Sequence, residues 1–289
     1  MIYQKHLLLL VCLTVHLFAG FVTIEGPSPV TINKWELQAD YAEIYSRLAP
    51  GRKIDRTPLT IRFYKSREVS GVRPLLPEWG GGGAVGTDLI IIPVDKDPFL
   101  NQSFIQVAFH EMVHIVLNRA YPSLHIPRWF HEGVALSLSG DLAINEHVII
   151  SWALFIRNLV ALADIDSVNL FTRSRANLAY CQSRQAVQLL IRTYDIDIIP
   201  EILVSAKQHQ DFWKGVHDTL GLTRKEFARL AREDLHKRYS LLFVFADTYL
   251  VWFGIIVLFI IAVFVTRFRN RKKLESITES ENYETGQQK

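Results

Sequence analysis

The stretch Ser103-Phe104-Ile105-Gln106-Val107-Ala108-Phe109-His110-Glu111-Met112-Val113-His114-Ile115-Val116-Leu117-Asn118-Arg119 decides how this chain is read. Its apolar residues recur every three or four positions, which predicts one long amphipathic helix over 103–119 entered from Asn101 as N-cap. Inside it stands His110-Glu111-Met112-Val113-His114. Residues four apart share a helix face, so both imidazoles reach one metal ion. Glu111, about 100° round the helix, reaches a water held there. Phe104, Ile105, Ala108, Phe109, Met112, Val113 and Val116 supply the apolar surroundings that an active-site helix needs. Two histidines merely accommodated on a helical face are the plain alternative.

Upstream, residues 35–48 have helical spacing and stop before Pro50, and 59–64 read as a strand. Trp79 and the glycines Gly80, Gly81, Gly82 and Gly83 lead to a second strand, rich in isoleucine, over 88–94. Downstream almost everything reads helical: 129–139, 147–161, 178–194 and 223–239, the last opened by the capping box of Thr223 and Glu226. Strands first and helices after predict an α+β domain over 21–240.

Both ends are apolar. Residues 1–20 have a basic start at Lys5, an apolar run over 7–19, and small residues Ala19 and Gly20 at its end, the pattern of a signal peptide. An uncleaved anchor is the alternative, since the apolar character continues to Ile24. Residues 248–266 hold no charge, long enough at about 1.5 Å per residue for a bilayer core of roughly 30 Å. Arg267, Arg269, Arg271, Lys272 and Lys273 follow at once, and such a cluster stays cytoplasmic. The expected topology is a single-pass membrane protein: an extracytoplasmic domain, one transmembrane helix over 248–266, and a cytoplasmic tail over 267–289.

Composition narrows the classes further. The 289 residues are 49% hydrophobic and 21% charged, which excludes disorder and collagen. The net charge of +3 has no polybasic face outside the C-terminal end, so nucleic acid is not an expected partner. Cys12 and Cys181 are too few for a disulfide framework, and Cys181 reads as a small buried hydrophobe.

A catalytic zinc wants a third protein ligand and an open fourth position. The metzincin continuation is absent, because Leu117 and Ala120 stand where it needs Gly and His. Pro127-Arg128-Trp129-Phe130-His131-Glu132-Gly133-Val134-Ala135 follows instead, and places Glu132 where a second helix returns beside the first. The pair of motifs resembles the gluzincin metallopeptidases, in particular the bacterial peptidase MA-like domains, over about 60–239. Ala179-Tyr180-Cys181-Gln182-Ser183 is similar to the start of their next helix, and Leu220-Gly221-Leu222 is a generic match. The resemblance implies a thermolysin-like minimal gluzincin domain that binds Zn2+ through His110, His114 and Glu132, with Glu111 as general base. It implies a protein or peptide substrate, and Tyr180 as donor to the oxyanion.

Two departures from that pattern matter. Related domains often carry an acid four positions after the ligand Glu to orient the first histidine, and here Leu136 stands there. Asp141 or a backbone carbonyl is the expected substitute. Aminopeptidases of this clan carry a Gly-Ala-Met-Glu-Asn strand, whose Glu holds a free amine. Gly82-Gly83-Ala84-Val85-Gly86 has no carboxylate, which favours an endopeptidase. Gly83, Ala84 and Val85 are the candidate substrate strand, where a peptide adds as a further strand. His131 points about 100° away from Glu132 and reads as a non-ligand, and His125 as structural. The rival reading is a catalytically idle gluzincin-like binding module in an envelope assembly.

Overall fold

The computed structural model describes residues 20–27, 32–65, 81–95, 103–140, 146–239 and 248–286. Residues 1–19 of the expected leader, Asn101, Trp79, Gly80 and Asp141 lie outside them. The chain divides into two units, Met1–Tyr239 and Ser240–Lys289.

In the first unit, β1 (Val22–Glu25), β2 (Leu59–Tyr64), β3 (Gly83–Val85) and β4 (Leu89–Pro93) form one sheet in the order β1-β2-β4-β3. β1, β2 and β4 run parallel, and β3 is an antiparallel edge on β4. Leu59, Ile61 and Phe63 alternate inward along β2. Ile90, Ile91 and Ile92 are buried in succession, as befits a strand covered on both faces. The apolar residues up to Ile24 belong to β1, with Phe21 and Val22 buried against the core.

Between β1 and β2 runs α1 (Lys34–Leu48), capped by the Asn33 side chain, which accepts the Trp35 N–H. This is the helix expected over 35–48, and what the structure adds is β1 ahead of it. Parallel neighbours cannot be joined by a tight turn, and α1 makes the crossing from β1 to β2.

The long central helix α2 (Phe104–Ala120) starts at Ser103 rather than Asn101. The Ser103 hydroxyl accepts the Gln106 N–H, and the Gln106 side chain accepts the Ser103 N–H. Arg119 fastens the other end of α2. Its guanidinium donates to the carbonyls of Thr57, Pro58 and Thr87 and to the Tyr41 hydroxyl, tying α2 to the turn before β4.

The remaining helices are α3 (Arg128–Leu138), α4 (Glu146–Phe155), a 3-10 segment (Leu162–Leu170), α5 (Arg173–Tyr194), α6 (Ile198–His209), α7 (Phe212–Leu220) and α8 (Arg224–Arg238). The helix expected over 147–161 ends at Phe155. Arg157 turns left-handed at φ 55°, and Asn158 N–H closes back on the Ala153 carbonyl. α5 starts earlier than expected, at Arg173. α8 has the Thr223–Glu226 capping box.

Trp129, at the start of α3, stacks on Phe227 at 5.0 Å and meets Phe212 and Trp213, pinning α3 to α7 and α8. Gly133 permits the close approach of α3 to α5, because a Cβ there would stand 2.3 Å from the Ser183 carbonyl oxygen.

The second unit contains α9 (Thr248–Gly286). Among the described residues, its segment Val251–Arg271 is the one helix long and apolar enough to cross a membrane. Trp252, Phe253, Leu258 and Phe264 are exposed along it. The helix does not stop at Thr266 but continues through the basic cluster.

Candidate metal centre

α2 presents His110 and His114 on one face, and α3 returns beside it with Glu132. His110 Nε2 lies 3.2 Å from Glu132 Oε2, and His114 Nε2 lies 3.1 Å from His110 Nε2. The third edge, His114 Nε2 to Glu132 Oε2, is 3.4 Å. A tetrahedral zinc with bonds of about 2.0–2.1 Å has its ligands about 3.3 Å apart, so the donor triangle fits one such ion. The three side chains are buried, Glu132 most deeply.

The charges around the triangle are set by burial and by Arg128. Burial alone would raise the Glu132 pKa. The Arg128 guanidinium and the two histidines outweigh it and hold this carboxyl well below the usual range. Arg128 Nε sits 2.7 Å from Glu132 Oε1, an ion pair one helical turn away, which leaves Oε2 turned to the histidines. Burial opposes charge on His110, but its bond to Glu132 and the nearby Glu111 raise its pKa.

Arg128 also donates to the phenol oxygen of Tyr180. Tyr180 is buried in α5, and burial, followed by the charge of Glu132, pushes its hydroxyl far up. It therefore stays protonated.

Glu111 is tied to the sheet. Its Oε2 accepts the Ala84 N–H of β3 at 2.8 Å. Gly82 makes that approach possible, since a Cβ there would stand 2.6 Å from Val107 Cγ1. The edge strand with Gly83, Ala84 and Val85 thus lies along α2 at the level of the donor triangle.

His131 stands outside the triangle, yet its Nδ1 is 2.6 Å from His114 Nδ1. Burial, followed by the proximity of His114, lowers its pKa well below the ordinary histidine value. His110 Nδ1 is buried with no partner among the described residues, and Leu136 is packed in the core. Cys181 is free and buried, and burial together with Glu146 pushes its thiol far up. His125 lines a separate cavity of about 540 Å³ beside Trp129 and Trp213, which none of the donor residues enters.

The fold brings together His110, Glu111, His114 and Glu132, with Tyr180 joined through Arg128 and Ala84 through Glu111. Sequence reasoning missed Arg128 and the contact of His131. Arg128 had a legible signal, a cation four residues before a ligand carboxylate. His131 had none, because its partner lies on another helix.

Two histidines and a glutamate around one point, with a further carboxylate beside them, define a donor set suited to a hydrolytic metal centre in an α+β domain. The chain matches the model of the Peptidase MA superfamily over residues 47–228, more than half its length, and belongs to that superfamily. Membership implies a peptidase, and the His-His-Glu group fits a zinc site. No curated protein and no solved structure matches the chain.

Proposed function

We propose that this protein is a membrane-anchored zinc metallopeptidase of gluzincin type, acting as an endopeptidase on an extracytoplasmic protein or peptide. The observation that carries the reading is the donor triangle of His110, His114 and Glu132, with edges of 3.1–3.4 Å, next to the uncoordinated carboxylate of Glu111. Zinc held there would polarise the scissile carbonyl and acidify a water.

Glu111 keeps one oxygen on Ala84 and has Oε1 to take the proton from the attacking water and hand it to the leaving amine. The substrate backbone lies along β3 at Gly83, Ala84 and Val85, on the edge that pairs with no strand among the described residues. Tyr180, with its phenol oxygen held by Arg128, gives its hydrogen to the developing oxyanion. No carboxylate stands in β3 to hold a substrate's free amine, which supports internal cleavage over removal of N-terminal residues. The apolar segment of α9 and the basic residues after Thr266 support a single span with the C-terminus in the cytoplasm. An idle binding module would have no use for a base at Glu111.

The test uses the full chain and its Glu111→Gln variant. Both should bind one zinc per chain, and the variant should lose about 10²–10⁴-fold in peptide cleavage. Undiminished cleavage by Glu111→Gln, or a wild-type chain without zinc, would sink the reading.

A further inference from the structure

We infer that His131 is the positioning residue of this metal centre, and that it orients the second histidine, His114, through a hydrogen bond at Nδ1. The inference rests on the zinc reading above and extends it to a side chain that is not itself a ligand.

Two observations carry it together. His110 Nδ1, on the ring side turned away from the donor triangle, is buried and meets no partner among the described residues. His114 is the opposite case. Its Nε2 faces the triangle while its Nδ1 lies 2.6 Å from His131 Nδ1.

The ring geometry identifies that contact. The two imidazole centroids are 4.7 Å apart and the planes only 29° from parallel. Rings stacked face to face would keep their atoms at least about 3.5 Å apart. Two nitrogens at 2.6 Å in nearly coplanar rings are joined edge to edge, by a hydrogen shared along the line between them.

The direction of the bond follows from the ligand geometry. A neutral imidazole that offers Nε2 to a metal carries its hydrogen on Nδ1. His114 therefore donates, and His131 Nδ1 accepts. This fixes His131 with its own hydrogen on Nε2. The bond holds the His114 ring at one angle about its side-chain torsions and makes its Nε2 a better electron donor, the two effects of an orienting partner on a ligating histidine. Because His131 is the immediate neighbour of Glu132, one short stretch of α3 supplies a ligand and sets the orientation of another.

The experiment compares the full-length wild-type chain with His131→Asn and His131→Leu, reading zinc affinity by chelator competition. Asparagine places its Oδ1 on the same branch as histidine Nδ1, so it still accepts from His114; leucine has nearly the same volume and accepts nothing. We expect His131→Leu to bind zinc about 10–100-fold more weakly, and His131→Asn to recover most of that loss. Cobalt-substituted samples should show the same split, with the visible absorption displaced in His131→Leu and close to wild type in His131→Asn. Equal weakening in both variants would mean that His131 only packs, and no weakening in either would mean that it plays no part; each overturns the inference while leaving a zinc-binding wild type intact. Failure of the wild-type chain itself to bind zinc would fall on the peptidase reading instead.

Discussion

Glu111 accepts the backbone N–H of Ala84 at 2.8 Å, so the carboxylate beside the donor triangle and the edge strand of the sheet are held as one piece. The contact joins residues on different layers of the fold, a helix and a strand. It makes the position of the proposed base depend on how closely β3 rides against α2.

That dependence is testable at Gly82. A Cβ there would stand 2.6 Å from Val107 Cγ1 and 3.6 Å from Glu111 Oε1, so Gly82→Ala forces the strand and α2 to readjust at the base. Misplacing a reacting group by about 1 Å costs roughly 10²-fold in rate. Gly82→Ala should lose about that much in kcat/KM on a peptide substrate while keeping stoichiometric zinc. Wild-type kinetics in this variant would show that the strand and the base are not coupled.

Tyr180 and Arg128 form the next pair. Losing one oxyanion donor costs about 10²–10³-fold, so Tyr180→Phe should lower kcat by that amount with KM nearly unchanged. Arg128 also pairs with the ligand Glu132, so Arg128→Met added to Tyr180→Phe should lower kcat further through the loss of that ion pair. Steady-state kinetics of the two single variants and the double variant decide the matter. Full activity in Tyr180→Phe would remove the tyrosine from the mechanism and leave Glu111 in place.

Arg119 is expected to matter for stability rather than for chemistry. It donates to three carbonyls and one hydroxyl gathered from three segments, and hydrogen bonds from a charged donor contribute about 1.5–3 kcal/mol each at most. Arg119→Met should lower unfolding stability by about 2–4 kcal/mol, read as a fall in the denaturant midpoint with an unchanged slope. Arg119→Lys should not restore it, because one ammonium cannot span the same partners.

The proposed topology has its own test. A reporter fused after Lys289 should be cytoplasmic, and one inserted near Pro50 should lie across the membrane. The motive is the basic cluster that follows Thr266. Both reporters on one side would defeat a single span with an exported domain.

What could be read from residues alone divides along the range of the interactions. β2, β4, α2 and α8 were legible because alternation, helical spacing and a capping box are written within a few neighbouring positions. The His110, Glu111 and His114 constellation was legible for the same reason, and Glu132 through the motif around it. β1 was hidden because its four residues continue an apolar run that also suits a leader. The end of α4 was hidden because Arg157, not glycine, takes the left-handed turn. α6 and α7 passed as undifferentiated helical sequence, although Asp211 is a readable cap. The Arg119 clamp and the His131 contact could not be seen at all, since each depends on which helix lies beside which.

The missing side chain at Gly133 has a consequence for anyone who would transplant this centre. Residues 110–132 contain every donor of the triangle, and copying them into another helical scaffold would look sufficient. It would fail unless the host also offered a helix backbone as close to the glycine as that of Ser183, and an aromatic seat for Trp129 like that of Phe212 and Phe227. The portable unit therefore includes the helix that Gly133 meets and the aromatic seat of Trp129, and the motif is only its most visible part.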